Sequence, residues 1–168
     1  PKEVLEGIRS TYHKEVTQKE MLELTKSAMT SKQKQQVQKK ARKAGIKIDF
    51  DPSKSNMVDL YKYAFEMGMS NDISNAIKIK SKKAAASLPF KYETIGIILD
   101  DSQSMRGSRE QKLRAYAVAL AMRDVLIFTG KESFVKTTSG RHSKIFALPD
   151  GSTDLATPYV DILQKRPD

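Results

Sequence analysis

The stretch Thr94-Ile95-Gly96-Ile97-Ile98-Leu99-Asp100-Asp101-Ser102-Gln103-Ser104 decides how the chain is read. Its first six residues form a continuous β-favouring apolar run, the pattern of a strand buried on both faces in a parallel sheet. The run then turns polar at once, placing D-x-S-x-S directly at the carboxyl end of that strand. Open α/β sheets bind ligands in the crevice outside the carboxyl ends of their strands, where loops converge without disturbing the core. Beyond this loop the spacing predicts a long helix from Arg109 to Phe128, with Leu113, Ala117, Leu120, Ala121 and Val125 on one face. Strand, polar loop and helix together predict an α/β domain.

Further along, Glu132 to Thr138 and Lys144 to Leu148 are expected as strands. The short Ser139-Gly140-Arg141-His142 connection favours an antiparallel hairpin over a crossover. Gly151-Ser152-Thr153 then leads into a helix expected from about Asp154 to Gln164. Upstream the period changes to that of helices: apolar residues recur at spacings of three to four from Pro1 to about Leu88, predicting four or five helices. Thr17 with Glu20 fits a capping box, Thr30 or Ser31 opens a lysine- and glutamine-rich helix, and Gly45 stops it. Only Val37, Ala41 and Ala44 give that helix an apolar face, so it is expected to pack weakly and show amines and amides to solvent. After Asp51-Pro52-Ser53, a core helix carries Met57, Leu60, Tyr61, Ala64, Phe65 and Met67. A further helix runs from about Asn71 to Leu88, and Pro89 ends it. The expected organisation is a basic helical segment over 1–90, then an α/β domain over 91–168.

With 168 residues, 39% of them hydrophobic, the chain can bury a sizeable core. No apolar run approaches the ~20 residues of a membrane helix, and the first residues do not have the pattern of a secretory signal. The sequence contains seven methionines and no cysteine, which excludes disulfides, thiolate zinc sites and cysteine nucleophiles, and fits a cytoplasmic protein. The net charge of +10 is uneven: residues 1–92 hold 19 Lys/Arg against 10 Asp/Glu, and residues 93–168 hold 11 against 10. This asymmetry points to an acidic partner such as nucleic acid for the helical part; a solvated helical surface gives the same pattern.

The candidate chemistry lies in the loops. Asp100, Ser102 and Ser104 at alternate positions, joined by the Thr153 hydroxyl from a second loop, offer hard oxygen ligands suited to Mg2+ or Mn2+. So few charged ligands leave a cation electrophilic, with positions open to water or to a partner's carboxylate or phosphate. Serine and aspartate also fill turns and helix caps, which is the structural alternative. An enzyme reading would make Asp100 a nucleophile or Ser102 a phosphoryl acceptor. The chain has no second acidic pair and no G-x-x-x-x-G-K loop to support it, so binding without catalysis is expected. His13 and His142 are isolated and are given no role.

The D-x-S-x-S run, the long helix after it, the following strands and Gly151-Ser152-Thr153 resemble, in that order, the metal-ion-dependent adhesion site of von Willebrand factor A (vWA) domains. The resemblance covers roughly residues 93–168 and implies a Rossmann-like vWA domain preceded by an all-α segment. It implies Asp100, Ser102, Ser104 and Thr153 as cation ligands. That family's last motif, an aspartate in T-D-G, would lie beyond Asp168, so the domain is expected to be incomplete here; neither Asp161 nor Asp168 is assigned in its place. Basic helices leading into such a domain, together with Thr153-Asp154-Leu155, look like the Ro autoantigen or TROVE family. That likeness implies binding of small noncoding or misfolded RNA by the helical part. The lysines and arginine nominated for phosphate contact are Lys39, Lys40, Arg42 and Lys43 on one helix and Lys78, Lys80, Lys82 and Lys83 on another. Bases would stack on Tyr61, Tyr63 or Phe65, though at helical spacing these fit a core better. The alternatives are a module that binds an acidic protein ligand through the cation without RNA, and a vestigial site in a domain that only packs against a partner.

Overall fold

A computed structural model describes residues 6–7, 10–11, 15–109, 111–140, 146–165 and 167. The chain divides into two compact units, Pro1–Lys54 and Ser55–Asp168.

In the first unit, α1 (Gln18–Thr25) and α2 (Ser31–Lys43) each start with a reciprocal capping box. The Thr17 hydroxyl accepts the Glu20 amide at 3.2 Å while the Glu20 carboxylate accepts the Thr17 amide at 2.8 Å, satisfying two of the amides that a helix start leaves without partners. Thr30 and Gln33 do the same for α2. The narrow apolar face of α2 is enough to hold it: Val37 and Ala41 are buried in a cluster with Leu22, Ile46 and Ile48. Ile46 and Ile48 come from the extended segment after the helix, whose return is fixed by the Ile46 amide donating to the Ala41 carbonyl.

The second unit holds α3 (Met57–Met67), α4 (Asn71–Ala86), β1 (Tyr92–Leu99), a 3-10 turn (Gln103–Arg106), α5 (Arg114–Ile127), β2 (Gly130–Thr137) and α6 (Ala156–Leu163). Here the sheet's unit begins at Ser55 rather than at the change of period near residue 91, because α3 and α4 both pack on α5. The reason lies in side chains from all three helices. Leu60, Tyr61 and Ala64 of α3, Ile73, Ile77 and Ala85 of α4, and Tyr116, Ala117, Leu120 and Ala121 of α5 are all buried. Tyr61 is therefore part of the core, and the half-buried Phe65 stacks on Phe146 with ring centroids 4.6 Å apart.

Among the described residues β1 pairs only with β2, in parallel, with Tyr92 opposite Gly130 and Leu99 opposite Thr137. The expected hairpin is not formed by the described residues. Lys144 and Ile145 lie outside them, and Phe146 to Leu148 are turn and coil. The helix expected from Arg109 starts instead at Arg114. Leu113, with φ 59°, takes the left-handed conformation and donates its amide to the Arg106 carbonyl at 2.7 Å. That bond ties the helix start to the turn after β1, in a conformation that costs a branched side chain about 1 kcal/mol or more. No described helix is long and apolar enough to cross a membrane.

The helix α6 lies on β1 at Gly96, where a Cβ would come within 2.1 Å of Ile162 Cγ2. Ile97 and Leu99, buried in the same strand, alternate with Gly96 and so face away from α6. Gly96→Ala is expected to lower stability by about 1–3 kcal/mol through overpacking, read from the denaturant unfolding midpoint. The double variant Gly96→Ala/Ile162→Ala should lose less than the two single losses together, because the second change removes the clashing methyl.

Candidate functional site

Parallel pairing puts the carboxyl ends of β1 and β2 side by side, so Asp100-Asp101-Ser102 and Thr138-Ser139 meet. The two adjacent aspartates do different things there. Asp101 is buried, and its carboxylate accepts the Ser139 amide at 2.8 Å, the Ser139 hydroxyl at 2.6 Å and the Thr138 hydroxyl at 3.3 Å. It clamps the two strand ends together and has its oxygens occupied in doing so. Asp100 is only half-buried and accepts the Ser102 amide at 2.9 Å and the Thr138 hydroxyl at 3.2 Å. Hydrogen bonding from Ser102 foremost, and from Thr138, holds the Asp100 carboxyl below the usual carboxylate range, against the opposing effect of its partial burial.

The 3-10 turn then folds the serines back. Ser102 is buried, Ser104 is exposed, and their hydroxyl oxygens lie 2.9 Å apart. Two neighbouring ligands of an octahedral magnesium at about 2.1 Å stand roughly 3 Å from each other. The serine pair therefore has the spacing at which two oxygens can share one such ion, and with Asp100 it makes a donor set of the right hardness.

A third loop closes over this turn. The Gln103 amide donates to the Gly151 carbonyl at 3.2 Å, the Asp150 amide to the Asp101 carbonyl at 2.9 Å, and the Arg106 Nε to the Pro149 carbonyl at 2.7 Å. Gly151, at φ 101°, makes a bend that side-chain-bearing residues rarely adopt. Asp154 follows, its amide donating to the Thr138 carbonyl at 2.9 Å. Its carboxylate accepts the Ala156 and Thr157 amides at the start of α6, which lowers its pKa, the Thr157 hydrogen bonds being the main cause.

The structure thus brings Asp100, Ser102 and Ser104 together. It sets Thr153 on the adjoining loop, exposed and without a hydrogen bond to those three among the described residues. Asp101, Thr138 and Ser139 belong to the cluster and were not read from the sequence. Their signal was the hydroxyl-rich Thr137-Thr138-Ser139 run at the end of a strand, informative only once that strand is known to be parallel to β1. A polar cleft of about 680 Å3 opens beside them, between the end of β2 and α6; Thr138, Ser139, Ser152 and Asp154 line it, whereas Asp100, Ser102, Ser104 and Thr153 do not.

The nominated basic residues fall on both units. On α2, Arg42 and Lys43 are exposed with no ion pair among the described residues, Lys40 lies 3.5 Å from Glu6, and the side chain of Lys39 lies outside what is described. On α4, Lys78, Lys82 and Lys83 are exposed and Lys80 is half-buried, with the Lys82 amine 5.5 Å above the Phe128 ring. His13 and His142 lie outside the described residues. Compared with known proteins, the chain matches no protein-family model, no curated protein and no solved structure.

Because the folded-state pKa of Asp100 is depressed below its unfolded value of about 4, its stabilisation is complete above that value and is lost as pH falls through the lower folded one. In chelator, the wild type should therefore lose more stability than Asp100→Asn between about pH 6 and about pH 3, measured as the shift in denaturant midpoint.

Proposed function

We propose that the chain is a divalent-cation-dependent binding protein of the vWA type, built into a Ro-like protein that binds RNA through its basic helices. The observation that carries the cation half is the oxygen cluster itself. Asp100 is held ionised by its neighbours, and Ser102 and Ser104 are paired at 2.9 Å at the carboxyl end of β1, where the fold converges its loops. Asp100, Ser102 and Ser104 would hold magnesium or manganese, with Thr153 reaching in from the adjoining loop. Such an ion supplies an electrophilic centre with positions left for a carboxylate or phosphate oxygen. An acidic protein side chain is the ligand assigned to it. The protein's own part is to fix the donors, through the Asp101 clamp and the Gly151 loop, so that ordering them costs little when the ligand arrives. Binding, without bond-breaking, is the whole of the proposed activity.

The RNA half rests on charge: nine of the ten excess positive charges lie within residues 1–92, and the exposed members of the nominated set on α2 and α4 are free to approach phosphates. The two groups belong to different compact units, so each is assigned its own contact with the backbone of a single-stranded RNA.

Binding of a labelled single-stranded RNA, measured at about 50 and about 200 mM salt, tests this reading. Neutralising four phosphates should cost ~50-fold in affinity across that interval. Arg42→Glu/Lys43→Glu should weaken binding and flatten the salt dependence, while chelator and Asp100→Ala should leave it intact. Absence of binding at low salt would end the RNA assignment. Chelator-sensitive capture of an acidic protein ligand would then be the surviving function.

A further inference from the structure

A well-lined hollow of the second unit lies away from the cation cluster. Between α3, α4, α5 and β2 is a cavity of about 720 Å3, within the range of small-molecule sites. Its walls are mostly apolar, with Ile77 of α4, Ile127 and Phe128 of α5, Val135 of β2 and Phe146 contributing. Set into this lining is a charged group that sequence patterning gave no reason to expect. Arg123, on the buried face of α5, is only 5% exposed. Its Nε and Nη2 donate to Asp124 Oδ1 at 2.8 and 2.6 Å, and Nη2 also reaches the Tyr61 hydroxyl at 3.2 Å. The Tyr61 hydroxyl in turn donates to Asp124 Oδ2. Burial foremost, then the negative charge of Asp124, raises the Tyr61 pKa, so the phenol keeps the proton it donates.

The hydrogen bonds leave a definite remainder. Both oxygens of Asp124 are occupied, whereas Arg123 Nη1 has no acceptor among the described residues. Lys78, also on the cavity wall, makes no ion pair among them, and Ser74 and Ser133 add hydroxyls. Against one carboxylate the cavity thus carries a guanidinium and an ammonium, and its unmet polar capacity is that of a donor. A buried guanidinium with an unsatisfied amine is costly unless something accepts from it.

We propose that this cavity binds a small amphiphilic anion, an apolar fatty or aromatic body with one carboxylate or sulfonate head. The apolar walls take the body, and Arg123 Nη1 and Lys78 take the head. The site is separate from the cation cluster and uses none of its ligands.

The probe is 8-anilinonaphthalene-1-sulfonate, an apolar aromatic with a single sulfonate, titrated into the folded chain and read by its fluorescence. Saturable binding of one dye per chain is expected, displaced by decanoate and not by an equal concentration of decanol, which has the same alkyl length without the charge. Lys78→Glu, an exposed change that leaves the core alone, should weaken dye binding at least ~5-fold through loss of one charge and gain of its opposite. Val135→Trp should fill the cavity and abolish binding; should that variant fail to melt cooperatively, Lys78→Glu decides alone. Displacement by decanol as good as by decanoate would overturn the anion assignment. Dye binding unchanged in Lys78→Glu, or rising without saturation, would place the dye elsewhere on the surface and overturn the site.

Discussion

Parallel pairing of two strands requires a crossover between them, and α5 supplies it by carrying the chain back across the sheet between Leu99 and Gly130. Much of the second unit follows from that geometry. Because β1 and β2 run the same way in register, their carboxyl ends finish together, and both leave the sheet into loops rich in hydroxyls. Had β2 run the other way, Thr138 and Ser139 would lie at the opposite end from Asp100. The crossover helix is also the floor on which α3 and α4 pack, so the helices before β1 and the sheet after it share one core.

At the strand ends, neighbouring residues of one type are put to different uses by small differences in exposure. The buried carboxylate of Asp101 is filled by donors from Ser139 and Thr138, which makes it a fastener. The carboxylate of Asp100 is less buried, held ionised by Ser102, and left beside two hydroxyls spaced for a shared ion. Both carboxylates reach the Thr138 hydroxyl, but only Asp101 is also held by the Ser139 amide and hydroxyl, so one aspartate locks the scaffold while the other turns to Ser102. The left-handed Leu113 belongs to the same arrangement, since its amide secures the carbonyl of Arg106 at the end of the turn that carries Ser104.

Further from the loops, the Tyr61, Arg123 and Asp124 trio joins α3 to α5 through charge instead of apolar contact alone. A buried ion pair of this kind contributes little net stability against a well-packed apolar replacement, and its removal on one side only would be costly. It stands beside a cavity, and one guanidinium amine has no acceptor among the described residues, which fits the anion site proposed above.

The sequence by itself determined what depends on near neighbours: the strand ending at Leu99, the capping box at Thr17, the amphipathic helix over Met57–Met67, and the D-x-S-x-S loop with its serines. Each is written in local periodicity or in side-chain-to-backbone bonds spanning three residues. Only the tertiary structure decided the direction of β2, the entry of α3 and α4 into the sheet's unit, the late start of α5, and the roles of Asp101, Thr138 and Arg123. The roles of Asp101 and Arg123 depend on partners 37 and 62 residues away, Thr138 and Tyr61, and the start of α5 on the bond from the Leu113 amide to the Arg106 carbonyl in the preceding turn. A short polar segment between two strands reads like a hairpin turn whether or not the second strand uses it as one. An arginine at a core position looks like a break in the pattern until its carboxylate, its phenol and the space beside it are in place.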